Sequence, residues 1–431
     1  MTEPVIPPAC VTLEAQLTSA GHTLAEADEK KLDTSRIQKA IDHCTRGRAV
    51  VLRARDSANA FLSGPLELKP GVTLVVEKGV TLYASRDPLV FESHQKPDVH
   101  CGTLSDGGHG CNPLISVQNV RDAAVMGEGV IDGRGGEKLL GKNYSWWDLA
   151  EQARNGPHQQ AFRLIVADHA DNFTLYRITL KNSPNFHVVY NHGDGFTVWG
   201  LKIDTPQRLA RNTDGVDPGN GAKNVTITHS WIRTGDDNVA IKGGPGGATH
   251  MTISHNHFYW GHGMSIGSET DGGVSAIRVT DLSLDGPDNG IRIKSNGSRG
   301  GLTEDVVYDD VCIRNSPNPI LLDTGYTAAG TVKGNSPPTI RDVTLHNVRV
   351  SGGGKISFNG YDAKHRVETT MDGVQLTDAA SYRYSVSHAD LTLKASNLQI
   401  PAAEDSTLHG TPTTTTASSC AEKFVGFPAE N

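Results

Sequence analysis

Aromatic side chains make up only 6% of the 431 residues. No run of about twenty apolar residues occurs, so no membrane-spanning helix is expected. Positive charge is also in deficit. Forty Lys and Arg against 48 Asp and Glu leave a formal net charge of -8. Such a chain has no general electrostatic reason to bind nucleic acid, so any local cluster of cations must serve a local purpose. None of the six cysteines has CxxC or Cys/His zinc spacing. No signal-peptide pattern follows Met1, and MTEPVIPPAC reads as a mature amino terminus with an added initiator.

Glycine is abundant, with 47 residues. With Asn and Asp it punctuates short β-branched runs, which predicts many turns and few long helices. Segments such as VTLVVEKGVTLYAS, GFTVWGLKIDTP and NVTITHSWIRTGDD alternate apolar and polar residues and end on turn formers. One helix is expected near the amino terminus. In DTSRIQKAIDHC, Thr34 or Ser35 serves as cap, and Ile37, Ala40, Ile41 and Cys44 fall on one face. Residues 1–33 read as polar and irregular. In the insert 138–156, Trp146, Trp147, Leu149 and Ala150 are expected to pack onto the strands, with sugar stacking as the other reading. Cys101 and Cys111 bracket a Gly-rich segment suited to a small disulfide loop, and Cys10 and Cys44 are positioned to tie the arm to the helix; buried thiols are the other reading. Both pairings suggest an oxidising compartment. In VCIRN, Cys312 should face outward, where Cys420 of the Thr-rich tail is a candidate partner.

The apolar segments can be laid over one another. Val216, Ile241, Ile266, Ile293 and Leu322 are separated by 25, 25, 27 and 29 residues. Periods of this size mark a solenoid, in which each unit is one lap and equivalent positions stack. The amphipathic helix is then a candidate cap for the open hydrophobic end. Three segments are expected: an arm and capping helix (1–48), a β-solenoid (49–400) and a Thr-rich tail (401–431).

Polar clusters recur at similar places in successive laps: Asn212-Thr213-Asp214, Gly235-Asp236-Asp237, Gly261-His262-Gly263 and Arg292-Ile293-Lys294. Singly, NTDG and TGDD are ordinary turn sequences. Stacked about 4.8 Å apart, Asp214, Asp236 and Asp237 would not all ionise easily, and carboxyls divided into acid and base suit glycoside hydrolysis. His262 should stack beside Asp237 and tune or orient the acid. With Ile293 inward, Arg292 and Lys294 both point outward, a pairing suited to an anionic substrate. Tyr326 lies next along that side, placed to stack on a sugar or simply to pack. His250, His255 and His257 lack the spacing of a metal motif.

The set NTD, GDD, GHG and RIK, in that order, resembles the polygalacturonases of glycoside hydrolase family 28. The likeness extends to SGPLELKPGVTL, SWWDLA, NSPNFHVVY, RNTDGVDP, TGDDNVAIK, GHGMSIGSET and GIRIKSNGS, which look like the secreted bacterial endopolygalacturonases. TGDD stands where fungal members often read NQDD. The resemblance implies an all-β fold, a right-handed parallel β-helix of about ten coils. It implies hydrolysis of α-1,4 galacturonosyl links in polygalacturonate or pectin, with inversion and with neither metal nor cofactor. By motif, Asp236 is the proton donor, Asp214 and Asp237 position and deprotonate water, and His262 supports the acid. Arg292 and Lys294 bind the substrate carboxylate, and Tyr326 lines the cleft. Inversion expects donor and base carboxyls about 6.5–9.5 Å apart. A secreted monomer, with no nucleic-acid or membrane partner, is expected. The alternatives are an exo-acting polygalacturonase and a non-catalytic polysaccharide-binding β-solenoid. A pectate lyase needs calcium and an arginine base, which the NTD–GDD–GHG set does not match.

Overall fold

The computed structural model describes residues 2–327, 334–414 and 420–429. The chain is a right-handed parallel β-helix, divided into two compact units. The first holds the residues up to Val216 with Thr234–Asp236; the second holds Asp217–Arg233 and Asp237–Pro428.

In the first unit, strands Arg48–Arg53, Val72–Val76, Ala124–Met126, Phe173–Tyr176 and Asp194–Trp199 lie parallel and in register. Their alternation stacks Val50, Leu74, Val125, Leu175 and Val198 in one column, each fully buried. Burial of each such side chain contributes about 1.5–3 kcal/mol. A second sheet stacks Leu66–Glu67, Ile115–Gln118, Ile165–Asp168 and Val188–Asn191. In the second unit, Ile241 pairs with Ile266, Ile266 with Ile293 and Ile293 with Leu322, as the repeat predicts. The lap before these differs from expectation. Gly219 pairs with Lys242, a lap of 23 residues, so the match of Val216 to Ile241 is two residues out. An offset of two keeps the same face inward, so the pattern alone did not reveal it.

The corners explain several polar residues. Asn224, His250, Ala276 and Asp305 occupy equivalent gaps in the pairing of successive laps, all with φ between 52° and 57°. His229, His255, Asp281 and Asp310 form a second such series, with φ between 51° and 56°. A single left-handed residue bends the strand there, and Asn, Asp and His tolerate that conformation best among residues with a side chain. His250 and His255 are thus corner residues, and His257 Nδ1 bonds Ser283 Oγ at 2.7 Å.

The capping helix runs Thr34–His43, with Ile37 and Ile41 fully buried. Its N-cap is Asp33 rather than Thr34 or Ser35, and both nearby side chains serve the neighbouring strand. Asp33 Oδ2 accepts from Leu62 N–H at 3.3 Å, and Thr34 Oγ1 accepts from Gly64 N–H at 2.7 Å. The arm is less irregular than its sequence suggests, because Ala9–Glu14 pairs with Arg48–Arg53. Disulfides join Cys10–Cys44, Cys101–Cys111 and Cys312–Cys420. In the insert, Trp146 is fully buried, edge-on to Phe162, and Trp147 Nε1 donates to the Ser183 carbonyl at 2.9 Å. The insert therefore packs. Past Ile400, Thr407–His409 still pairs with Ala389–Lys394, while residues 415–419 lie outside those described.

Candidate active site

Asp237 is the hub of the second unit's polar cluster. It is 1% exposed and receives three donors: Ser265 Oγ at 2.6 Å, Arg292 Nη1 at 3.1 Å and Lys294 Nζ at 2.7 Å. Two cations and a hydroxyl aimed at one carboxyl are the surroundings of an ionised carboxylate. The register produces this arrangement. Ser265 pairs with Arg292, and Ile293, inward and fully buried, turns Arg292 and Lys294 outward together. The sequence predicts that both cations point outward beside the carboxylates; in the structure both are also buried, with Asp237 bonded to each. The Tyr326 ring lies 5.3 Å from the Arg292 guanidinium and 5.2 Å from Lys294 Nζ. Tyr326 therefore packs against the cations.

The turn before Asp237 is fixed from both sides. Asn238, fully buried, donates to the carbonyls of Ile232 at 3.0 Å and Trp260 at 3.1 Å, and accepts from Gly263 N–H at 2.9 Å. Val239 pairs with Met264, which carries the register back to Asp237 opposite His262. Gly263 has to be glycine, since a Cβ there would sit 1.9 Å from the Asn289 carbonyl oxygen. The His262 ring faces Asp288, Nε2 to carboxylate 3.4 Å.

In the first unit, the Asp236 segment leans on the Asp214 segment. Thr234 Oγ1 donates to the Thr213 carbonyl, and Gly235 N–H donates to Thr213 Oγ1 at 3.0 Å. A Cβ on Gly235 would lie 2.1 Å from the Ala210 carbonyl oxygen, so TGDD needs its glycine to let these segments touch. The carboxyl-bearing Asp214 and Asp236 each follow a residue in this contact, and Asp236 is joined directly to Asp237. Behind Asp214 stands His187, fully buried. Its N–H donates to the Asp214 carbonyl at 2.8 Å, and its Nε2 bonds Thr205 Oγ1 at 2.8 Å. Burial pushes the His187 imidazole down to about 4, although its Nδ1 also bonds the Asp214 carbonyl at 3.1 Å.

Sequence reasoning missed Ser265, Asn238, His187 and Asp288. Ser265 was findable, because it stands between Met264 and Ile266 and so faces outward beneath Arg292. Asn238 and His187 gave no signal, since a polar residue in an apolar segment does not disclose which backbone groups it will satisfy.

These features define a class first: a parallel β-helix whose second unit holds a buried carboxylate, Asp237, between two cations, and the comparisons with known proteins make it a glycoside hydrolase. The model of glycosyl hydrolases family 28 matches residues 78–404. An endo-polygalacturonase of Pectobacterium carotovorum is 43% identical over 386 residues, covering 89% of this chain and 90% of that protein. A polygalacturonase of Ralstonia nicotianae is 37% identical, covering 99% and 92%. The solved polygalacturonase of Erwinia carotovora superposes with a TM-score of 0.83 at 42% identity, covering 91% of this chain and 98% of that one. The chain belongs to glycoside hydrolase family 28.

Proposed function

We propose that the protein is a secreted, monomeric endo-polygalacturonase that hydrolyses α-1,4 galacturonosyl links with inversion. The observation that carries this reading is the buried trio of Asp237, Arg292 and Lys294. Two cations share one carboxylate, so the trio holds a surplus positive charge fitted to a uronate. Arg292 Nε, buried, has no protein acceptor among the described residues, which leaves donor capacity for a substrate oxygen.

In this reading Asp236 protonates the departing glycosidic oxygen. Asp237, kept anionic by its cations, acts with Asp214 to orient and deprotonate the attacking water. His262 orients the acid. Arg292 and Lys294 hold the carboxylate of a sugar beside the scissile bond, backed by Tyr326. No step needs a cofactor. Secretion is supported by the three disulfides.

The test is a time course of product lengths on polygalacturonate. Mid-sized oligomers should appear first, and Asp236→Asn should abolish turnover while leaving binding intact. Monomers or dimers from the outset would replace the endo reading by an exo one. Full turnover in the variant would remove Asp236 from its role.

A further inference from the structure

The second sheet of the first unit ends each lap on a corner. Asn119, His169 and His192 are the corner residues of three successive laps, with φ of 54°, 52° and 51°. The register fixes this, because Gln118 pairs with Asp168 and Asp168 with Asn191. Asn119 N–H donates to the Asp168 carbonyl and His169 N–H to the Asn191 carbonyl, both at 3.0 Å. Asn119 shows that the bend needs only a residue that tolerates positive φ. The bend gives no reason for two imidazoles, one above the other, in the next two laps.

The two rings lie 4.7 Å apart with their planes 19° from parallel, about the spacing of adjacent strands. Both turn the same edge toward Asp168. Its Oδ1 is 2.7 Å from His192 Nδ1 and 3.1 Å from His169 Nδ1. One ligand atom from each of the three residues lies within 4.8 Å of the others. Ligands held about 2.0–2.1 Å from a tetrahedral zinc ion stand about 3.3 Å from one another. An ion would therefore enter with displacements of roughly half an ångström at the two carboxylate contacts. The His169 and His192 side chains are 57% and 36% exposed, so solvent reaches the cluster and supplies a further ligand.

We propose that Asp168, His169 and His192 bind a divalent transition-metal ion of the zinc class, with water completing its shell. Two imidazole nitrogens and one carboxylate suit zinc, copper or nickel, and they offer too few oxygens for calcium. The ion takes the place of the proton between His192 Nδ1 and Asp168. Asp168 and His169 follow one strand and His192 follows the next, so the ion staples two laps of the solenoid. The three residues lie outside those assigned to hydrolysis, and the ion takes no part in it. Its effect is on the stability of the first unit, since a ligand that binds only the folded chain shifts unfolding by mass action. The inference is independent of the galacturonan reading.

The probe is zinc chloride, titrated into the full chain after dialysis against a chelator. Calorimetry should show one equivalent bound well ahead of any other. Zinc at about a hundred times its Kd should raise Tm by about 3 °C, the linkage shift set against the unfolding entropy of a chain of this length. Magnesium at the same concentration should do neither. His169→Asn and His192→Asn keep a residue that tolerates the corner, as Asn119 does. Each should weaken zinc at least about tenfold and roughly halve the Tm shift at the same zinc concentration. Should either variant melt early without metal, Asp168→Asn is read in its place; its strand partners Gln118 and Asn191 are already neutral amides. His250→Asn, at a corner outside the cluster, is the control and should bind zinc as the wild type does. No heat of binding in the wild type, or full affinity in the cluster variants, overturns the site. Equal weakening by His250→Asn would reduce it to adventitious binding by surface histidines and overturn it as well.

Discussion

Asp237→Asn separates the ion-pairing of this carboxylate from its proposed part in catalysis. The substitution keeps shape and removes charge, leaving Arg292 and Lys294 buried side by side with no anion between them. Breaking a buried ion pair by removing one partner costs about 3–5 kcal/mol, because the remaining charge is uncompensated. At about 2.1 cal/mol/K of unfolding entropy per residue, this lowers Tm by about 3–5 °C in a chain of this length. Lys294→Met in the Asp237→Asn background removes one stranded cation and should return about half of the lost stability. Turnover should not return if Asp237 serves as a base, as proposed above. Scanning calorimetry and reducing-end release on the single and double variants supply the cycle. Asp236→Asn is the control, expected to stop turnover with a much smaller fall in Tm. If Asp237→Asn melts with the wild type, or the double variant melts below the single one, the hub is not an ion-pair hub.

Two further outcomes concern stability. His187 is neutral in the fold, with its pKa pushed down to about 4. A group whose folded pKa lies below its unfolded value of about 6.5 contributes stability above that value and loses it as pH falls. Between pH 7 and 4.5 the loss is on the order of 2–3 kcal/mol. His187→Gln should flatten that stretch of the urea-midpoint profile, and an unchanged slope would locate the acid sensitivity elsewhere. The carboxy-terminal tail is clasped by Cys312–Cys420, by Lys423 against Asp281 and Asp310, and by Phe424 under Arg314. Cys420→Ser should cost about 2–4 kcal/mol by releasing a long loop and leave kcat unchanged. A fall in kcat at a temperature where the variant is fully folded would tie the tail to catalysis.

The lap was legible because each turn of the solenoid places one aliphatic residue inward at a fixed phase, and Ile241, Ile266, Ile293 and Leu322 pair as their spacing predicts. The phase is also why the error at Val216 went unseen, since a shift of two residues leaves the same side inward. The sequence likewise showed that Arg292 and Lys294 point outward, because that follows from alternation alone. It did not show that Asp237 waits against them, because the meeting depends on turn lengths in the laps between. His250 and His255 lack a metal motif's spacing in the sequence, and their positive φ gives the reason they are there, which the sequence did not disclose. Polar side chains in a β-solenoid thus arise from three separate demands: bending the strand, satisfying buried backbone and handling substrate. Buried charge shared unequally is not by itself a mark of the third, since Glu29 is shared by Arg86 and Arg134 much as Asp237 is shared by Arg292 and Lys294. What sets the Asp237 cluster apart is its place among the stacked NTD, GDD, GHG and RIK segments, so the motifs taken together, rather than buried charge alone, carry the proposed catalytic reading.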